Sequence, residues 1–157
     1  MAAQPYTLAE LAAQEEELAF TSFTNDDALS LGLALVKAAQ SQSAPVAIEI
    51  ARNGHQLFKV ALPGATPDND GWIARKSRVV QRFGHSSLYV RTQCEQDGTT
   101  LDGTYGLDPS EYAAHGGAFP IIVKNVGPVG IIVVSGLPQL EDHKLVTDVL
   151  RDFLATR

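Results

Sequence analysis

The chain has 157 residues, a hydrophobic content of 45% and a formal net charge of −6 at pH 7. This length suits one domain with a single core, and the composition is that of a globular protein rather than a disordered or membrane-embedded one. No apolar run reaches the roughly 18 residues of a spanning helix. The net acidity argues against general nucleic-acid binding, which needs clustered Lys and Arg. We therefore expect a single domain over residues 1–157, with neither a nucleic-acid nor a membrane partner.

Cysteine usage and the N-terminal residues bear on the compartment. Cys94 is the only cysteine, so an intrachain disulfide and a cysteine-only metal site are excluded. The segment 1–5 lacks the basic start and the apolar stretch of a secretory signal. A cytoplasmic location is the resulting expectation.

Two helices are predicted near the N-terminus. Thr7 is positioned to cap the first, with Glu10 in the capping-box position, and this helix would run to about Phe20. Asn25 is predicted to cap the second. From Ala28 to Ala39 the second helix is apolar on nearly every side, which indicates burial on two sides, either between layers or in a subunit interface.

The middle of the chain predicts a hairpin followed by a helix. Strands are expected at 46–51 and 56–62, joined by a turn built on Asn53-Gly54. Apolar residues recur at helical spacing between about Pro67 and Phe83, with Asp68 as a possible cap. Residues 87–92 read as a short strand, and residues 97–109 read as a loop.

A second hairpin and a final helix complete the predicted order. Residues 119–123 and 129–134 are apolar and β-branched, with a turn expected at 127–130. Pro138 suits the first turn of the last helix. This order predicts an α+β fold in which an antiparallel sheet is covered by helices.

Two glycine-containing segments flank this second hairpin. His115-Gly116-Gly117 precedes it, and Ser135-Gly136 follows it. Glycine amides at such places can approach an anion or a planar ligand closely, although they equally permit a tight turn. No Gly-x-Ser-x-Gly elbow surrounds Ser135, which argues against a hydrolase nucleophile.

His143 lies about five residues into the final helix. It is a candidate ligand of a metal centre or a general acid or base, and the alternative is a surface or interface histidine. Its neighbour Asp142 does not face it, because adjacent helical positions point in different directions. The chain contains neither His-Glu-x-x-His nor Cys-x-x-Cys-His, so no metalloprotease site and no covalent c-type haem are expected.

A basic cluster falls in the third predicted helix. Arg75, Arg78 and Arg82 share one face by their spacing, whereas Lys76 lies on the side of Trp72. One interpretation is a solvated face paired with the acidic N-terminal segment. The other is recognition of a carboxylate by a guanidinium fork.

Three blocks occur in order along the chain: Asn69-x-x-Trp72-x-x-Arg75-Lys76, then His115-Gly116-Gly117-Ala118-Phe119-Pro120-Ile121, then Val134-Ser135-Gly136-Leu137-Pro138-Gln139 with Asp142-His143-x-Leu145-Val146. With these blocks the chain resembles the haem-degrading (HbpS/GlcG-like) family, most closely its subgroup of small uncharacterised proteins, from about Thr7 to Leu154. The resemblance implies a profilin-like, three-layer α/β sandwich, assembly into homo-oligomers, and binding of haem or a related tetrapyrrole.

The resemblance also implies roles for particular residues. His115 and His143 are the candidate cofactor-binding residues, with His55 and His85 as further histidines. The candidate ligand-binding residues are Trp72, Arg75, Lys76, Gly116, Gly117, Ser135 and Gly136. Whether the protein is an enzyme stays open.

Two other functions compete with haem binding. One is an enzyme or sensor for a small carboxylate, in which Arg75 and Lys76 clamp the anion and His143 acts as acid or base. The other is an oligomeric scaffold whose working surface is its interface, which a closed space around Gly116 and Ser135 would favour.

Overall fold

The computed structural model describes residues 5–157, which fold into a four-stranded antiparallel sheet between layers of helices. In chain order the elements are α1 (Leu8–Glu17), α2 (Asn25–Ser41), β1 (Ala47–Arg52), β2 (His55–Ala61), α3 (Pro67–Phe83), α4 (Ser87–Gln96), α5 (Leu101–Tyr105), β3 (Ala118–Val123), β4 (Gly127–Ser135) and α6 (Gln139–Ala155).

The strands are ordered β2-β1-β4-β3, so the two hairpins lie side by side. Their inner strands β1 and β4 pair antiparallel, with Ile48 opposite Val134 and Ile50 opposite Ile132. These four side chains point to the same face because side chains alternate along a strand. Both predicted hairpins and the expected α+β sandwich are confirmed.

Helices cover both faces of the sheet. On one face α2 and α6 pack over the apolar side chains of β1 and β4, and Leu31, Leu35 and Leu150 are fully buried there. On the other face α3 buries Ile73 and Val80 against the sheet. The domain therefore has three layers, with the sheet between α2 and α6 on one face and α3 on the other.

The predicted N-cap of α1 is confirmed, whereas the predicted N-caps of α2 and α3 are wrong. The Glu10 N–H donates to Thr7 Oγ1 at 3.1 Å, and the Glu10 carboxylate accepts from the Thr7 N–H. At α2 the cap is Thr24 instead of the predicted Asn25, because Thr24 has an acidic partner three residues later, at Asp27. Similarly, α3 is capped by Thr66 instead of Asp68.

Three predictions of local structure are wrong. Residues 87–92, expected as a strand, belong to α4, which starts because Ser86 Oγ accepts the Tyr89 N–H at 3.1 Å. The segment 97–109, expected as a loop, contains α5, capped by Thr100. The second hairpin turns around Asn125, which takes a left-handed φ of 65°, and 127–130 are already strand.

The outer side of α2 is apolar and exposed. Leu29 and Leu33 are 51% and 56% exposed, so within one chain this helix is buried on one side only. Burial between two layers of the same chain is therefore wrong, and the subunit-interface alternative stays a prediction. Within residues 5–157, no helix combines the length and the apolarity that crossing a bilayer requires.

Candidate functional site

The three motif blocks meet at one end of the sheet, where α3, β4 and the start of α6 converge on the segment before β3. They surround a cleft of about 260 Å³, which we call the inner cleft. Its walls are formed by Asn69, Trp72, Lys76, His115, Gly116, Ser135, Gly136, Leu137, Gln139 and Asp142.

Lys76 forms the floor of the inner cleft and is only 2% exposed. Its Nζ donates to the carbonyl oxygens of Gly116 at 3.1 Å and Val134 at 2.7 Å, and it pairs with Asp142 Oδ2 at 3.4 Å. Burial lowers the pKa of Lys76, and the Asp142 carboxylate opposes that shift. An ammonium has three N–H donors, and all three have acceptors here.

Asp142 completes this interaction from the first turn of α6. Its Oδ1 accepts the Leu137 N–H at 2.9 Å, and its Oδ2 accepts the Gly136 N–H at 3.4 Å. Burial raises the pKa of Asp142 to about 6, against the opposing effects of Lys76 and the two amides. The sequence indicated only that Asp142 does not face His143, and it assigned Asp142 no role in a site. The available signal was its position soon after Gly136-Leu137-Pro138, where a carboxylate can accept the backbone N–H groups that precede a helix.

The glycines before β3 allow backbone and side chains to approach closely. A Cβ on Gly117 would lie 2.5 Å from Lys76 Nζ, and the φ of Gly117 is +128°. A Cβ on Gly116 would lie 2.5 Å from the Gln139 carbonyl oxygen. The Gly116 N–H donates to Gln139 Oε1 at 3.0 Å. Gly116 and Gly117 therefore allow close packing around the buried Lys76 ammonium group.

Ser135 and Asn69 form the polar wall of the inner cleft. Asn69 Nδ2 donates to Ser135 Oγ at 3.3 Å, which joins α3 to the end of β4. Gly136 follows with a φ of +148°, and a Cβ there would collide with the Pro45 carbonyl. These predicted ligand-binding positions do come together with Trp72 and Lys76.

His143 lies behind the inner cleft rather than in its wall. The residue is 1% exposed, its Nε2 lies 2.8 Å from Gln14 Oε1, and its Nδ1 has no hydrogen-bond partner in the described part of the chain. Burial lowers the pKa of His143 to about 4, so the ring is neutral at neutral pH. Because the Gln14 oxygen is an acceptor, we assign the proton to Nε2.

His115 stands between the inner cleft and a second one. The second cleft, which we call the outer cleft, has a volume of about 410 Å³ and includes Trp72, Arg75, Arg91, Cys94, Leu107, Tyr112 and His115. The His115 ring meets the Trp72 ring edge-on, with centroids 5.0 Å apart. Burial lowers the pKa of His115, and the charges of Arg91, Lys76 and Arg75 add to this effect. The imidazole is therefore neutral at neutral pH.

The basic cluster of α3 does not form one patch. Lys76 points into the interior, Arg75 stacks 4.1 Å from the centroid of the Trp72 ring, and Arg78 donates to the Glu111 carbonyl at 3.0 Å. Pairing of the cluster with the acidic N-terminal segment is wrong. Acidic residues of that segment instead bind His85, Arg151 and Arg157.

The protein is a three-layer sandwich with a polar cleft at the glycine-rich end of its sheet. Comparisons with known proteins identify its family. A model of the family described as "Haem degrading protein HbpS-like" matches residues 23–151. A UPF0303 protein of Streptomyces coelicolor is 55% identical over 148 residues and covers 94% of each chain. The chain belongs to the HbpS-like haem degrading protein family.

Solved structures share the fold of this chain. The Ybr137w protein has 36% identity, a TM-score of 0.89, and coverage of 98% of this chain and 90% of its own. HbpS has 22% identity, a TM-score of 0.64, and coverage of 99% and 98%. A PduOC:Heme complex has 18% identity, a TM-score of 0.67, and coverage of 84% and 94%. The last two show the shared fold alone.

The raised pKa of Asp142 predicts a pH dependence of stability. The folded pKa of about 6 lies above the ordinary value of 3.8, so the folded state takes up a proton before the unfolded state does as the pH falls. We expect the free energy of unfolding of the wild type, minus that of Asp142→Asn, to rise as the pH falls from 7 to 4. Urea denaturation at each pH measures both proteins. A difference that shrinks instead would show that the ion pair with Lys76 outweighs burial.

Proposed function

We propose that this protein binds a planar, carboxylate-bearing ligand of the haem or related tetrapyrrole class in the outer cleft. The observation that carries the proposal is a neutral imidazole, an indole and two guanidinium groups around one space of about 410 Å³. Family membership supports this ligand class, as does the existence of a haem complex with the same fold.

The residues of the outer cleft fit this ligand. A neutral imidazole can bind haem iron, and within residues 5–157 no hydrogen bond engages either ring nitrogen of His115. Arg75 offers a guanidinium group to a carboxylate, whereas Arg91 already pairs with Glu95, 2.8 Å from its Nε. The volume lies within the range typical of ligand pockets. Bound haem would supply a redox-active iron, whereas the chain itself would bind, orient and partly shield the ligand.

The inner cleft acts in this proposal as the support of His115. Gly116 and Gly117 hold the chain against Lys76 and Gln139, and this backbone carries His115 at its end. The Lys76 ammonium has no free donor, so Arg75 is the cation available to a propionate. His143 fits a supporting role behind Gly116 better than a direct contact, because it is buried and does not line either cleft.

Titration with ferric haem tests the site. We expect His115→Ala to reduce the absorbance change of imidazole-ligated iron, and His143→Ala to keep it in full while lowering the melting temperature. His55→Ala, at the exposed tip of the first hairpin, is the matched control and should behave like the wild type. An absorbance change of undiminished size after the double replacement of His115 and His143 contradicts ligation by either residue.

A small carboxylate is the second candidate ligand, and the size of the inner cleft favours it. Its volume of about 260 Å³ lies below the range typical of larger ligands. Asn69, Ser135 and Gln139 supply polar groups, and Arg75 lies beside Trp72 at the rim. A scaffold without a ligand is less favoured, because Gly116 and Ser135 line this cleft instead of a sealed interior.

Thermal shift separates the small-carboxylate candidate from haem. With lactate and malate as probes, we expect stabilisation to be lost in Asn69→Ala and Arg75→Ala if the carboxylate binds here. Gln81→Ala, exposed on the same helix, is the control. Stabilisation by haem but by neither acid would reject this candidate.

We further propose that copies of the chain associate through the outer side of α2 in the cytoplasm. Leu29 and Leu33 are one helical turn apart and more than half exposed, so an adjoining subunit would bury them. The one free thiol, Cys94, suits a reducing compartment.

Sedimentation velocity tests this interface. Leu33→Asp should dissociate the assembly and leave the far-UV circular dichroism of the chain unchanged, since Leu33 is 56% exposed and makes little contribution to the core of its own subunit. Gln81→Asp, exposed on the opposite layer, should leave the assembly intact. An unchanged sedimentation coefficient in Leu33→Asp would place the interface elsewhere.

A further inference from the structure

A carboxylate–imidazole pair lies on the surface away from both clefts. Glu15 of α1 and His85, just after α3, meet with 2.7 Å between Glu15 Oε1 and His85 Nδ1. The second Glu15 oxygen accepts the Ser86 N–H at 3.0 Å, and the ring of Tyr89 stacks on the imidazole with centroids 4.0 Å apart. Glu15 therefore fixes the orientation of the His85 ring, and Ser86 fixes Glu15. The proposed function uses neither Glu15 nor His85.

This arrangement determines which nitrogen of His85 is free. A carboxylate only accepts, so His85 donates from Nδ1 to Glu15 and Nε2 is its second nitrogen. The Glu15 side chain is 8% exposed, whereas that of His85 is 42% exposed. Within residues 5–157 no hydrogen bond engages His85 Nε2. Nε2 is therefore the ring nitrogen left for a ligand, on a ring that Glu15 and Tyr89 hold in place.

The carboxylate distinguishes His85 from the other three histidines. Metal-ligating histidines commonly donate their second ring nitrogen to a carboxylate, which fixes the tautomer and raises the basicity of the ligating nitrogen. His143 has an amide oxygen from Gln14 instead, and His115 has the edge of Trp72. In the described residues, His85 alone has a carboxylate on its ring.

The surface beside His85 is broad and combines apolar with charged side chains. It has a volume of about 660 Å³ and is formed by Ala12, Glu15, Glu16, Ala19, His85 and residues 122–127; we call it the His85 shelf. The segment after α1 is pinned to β3, because the Phe20 N–H donates to the Ile122 carbonyl at 2.7 Å and the Lys124 N–H donates to the Phe20 carbonyl at 2.8 Å. Val126 on this shelf is 71% exposed.

These features suit a flat metal complex better than a bare ion. In the part of the chain that the structure describes, no group of three His, Cys, Asp or Glu side chains could hold a metal ion. A metal-containing tetrapyrrole brings its own ring nitrogens and needs only an axial ligand from the protein. Its apolar face would cover Val126 and its neighbours, and the exposed Lys124 is placed to meet a carboxylate.

We propose that the His85 shelf is a second, surface site for a metal-containing tetrapyrrole, with His85 Nε2 as the axial ligand and Glu15 as its positioning residue. The inference rests on the ligand class of the proposed function but not on the outer cleft. It assigns the protein two imidazole ligands in different environments, one shielded at His115 and one open at His85.

Ferric haem is the probe, and the His115→Ala protein is the background in which the His85 shelf is observed alone. We expect this variant to retain an imidazole-ligated absorption band that disappears when His85→Ala is added. In His115→Ala with His85→Gly, added imidazole should restore the band. Adding His55→Ala instead should change nothing. A band of equal size with and without His85 overturns the proposal.

Glu15 is tested by the reduction potential of the bound iron. Adding Glu15→Gln should raise the midpoint potential of the His85-ligated haem, because a less electron-rich imidazole stabilises the ferric state less. An unchanged potential would overturn the role of Glu15.

The two proposed sites fail in different ways. A band lost entirely on His115→Ala overturns the shelf and leaves the outer cleft. A band lost entirely on His85→Ala overturns the outer cleft and leaves the shelf. No band in the wild type overturns both.

Discussion

A buried ammonium group constrains the functional end of this molecule. Removing the Lys76 charge from water is costly, and the cost is offset only because three acceptors converge on it from three separate segments. Those acceptors belong to the turn before β3, to the end of β4 and to the start of α6. Loss of one partner in such a buried pair typically costs about 3–5 kcal/mol. The positions of α3, the glycine turn and α6 relative to each other therefore depend on this one group.

The same interaction decides which groups are left for a ligand. With the donors of Lys76 occupied and the Gly116 amide bonded to Gln139, the floor of the inner cleft has little capacity left for an anion. In the proposed function, recognition therefore falls to the rim, where Arg75 covers one face of Trp72 and His115 approaches its edge. Such a rim suits a planar ligand, whereas the floor has few free hydrogen-bond donors for an anion.

The histidines differ because their surroundings differ. His143 is neutral because it is buried, and its contacts with Gln14 and Tyr6 hold α6 against α1. His115 is neutral through burial and nearby positive charge, yet it borders both clefts. His85 is held by Glu15 at the surface. These three imidazoles thus have different surroundings: His143 is enclosed, His115 is half-buried between two clefts, and His85 is partly exposed beside a carboxylate.

Local sequence signals determined much of the fold. The Thr7 capping box, the Asn53-Gly54 turn and the β-branched runs of both hairpins act over a few residues, so their structures could be predicted from the chain alone. The family motifs also predicted that Trp72, Gly116 and Ser135 belong to one ligand site. Where local preference was ambiguous, as in residues 87–92, the Ser86 cap and burial against α3 produced a helix instead of a strand.

Only the tertiary structure decided which polar groups became partners. Helical spacing separates Lys76 from Arg75, but it does not say that Lys76 would be enclosed while Arg75 stacks on Trp72. The Lys76–Asp142 pair joins residues 66 positions apart, and the Glu15–His85 pair joins residues 70 positions apart. Their formation depends on how whole layers pack, because desolvation and the supply of acceptors are properties of the assembled core and not of any short segment.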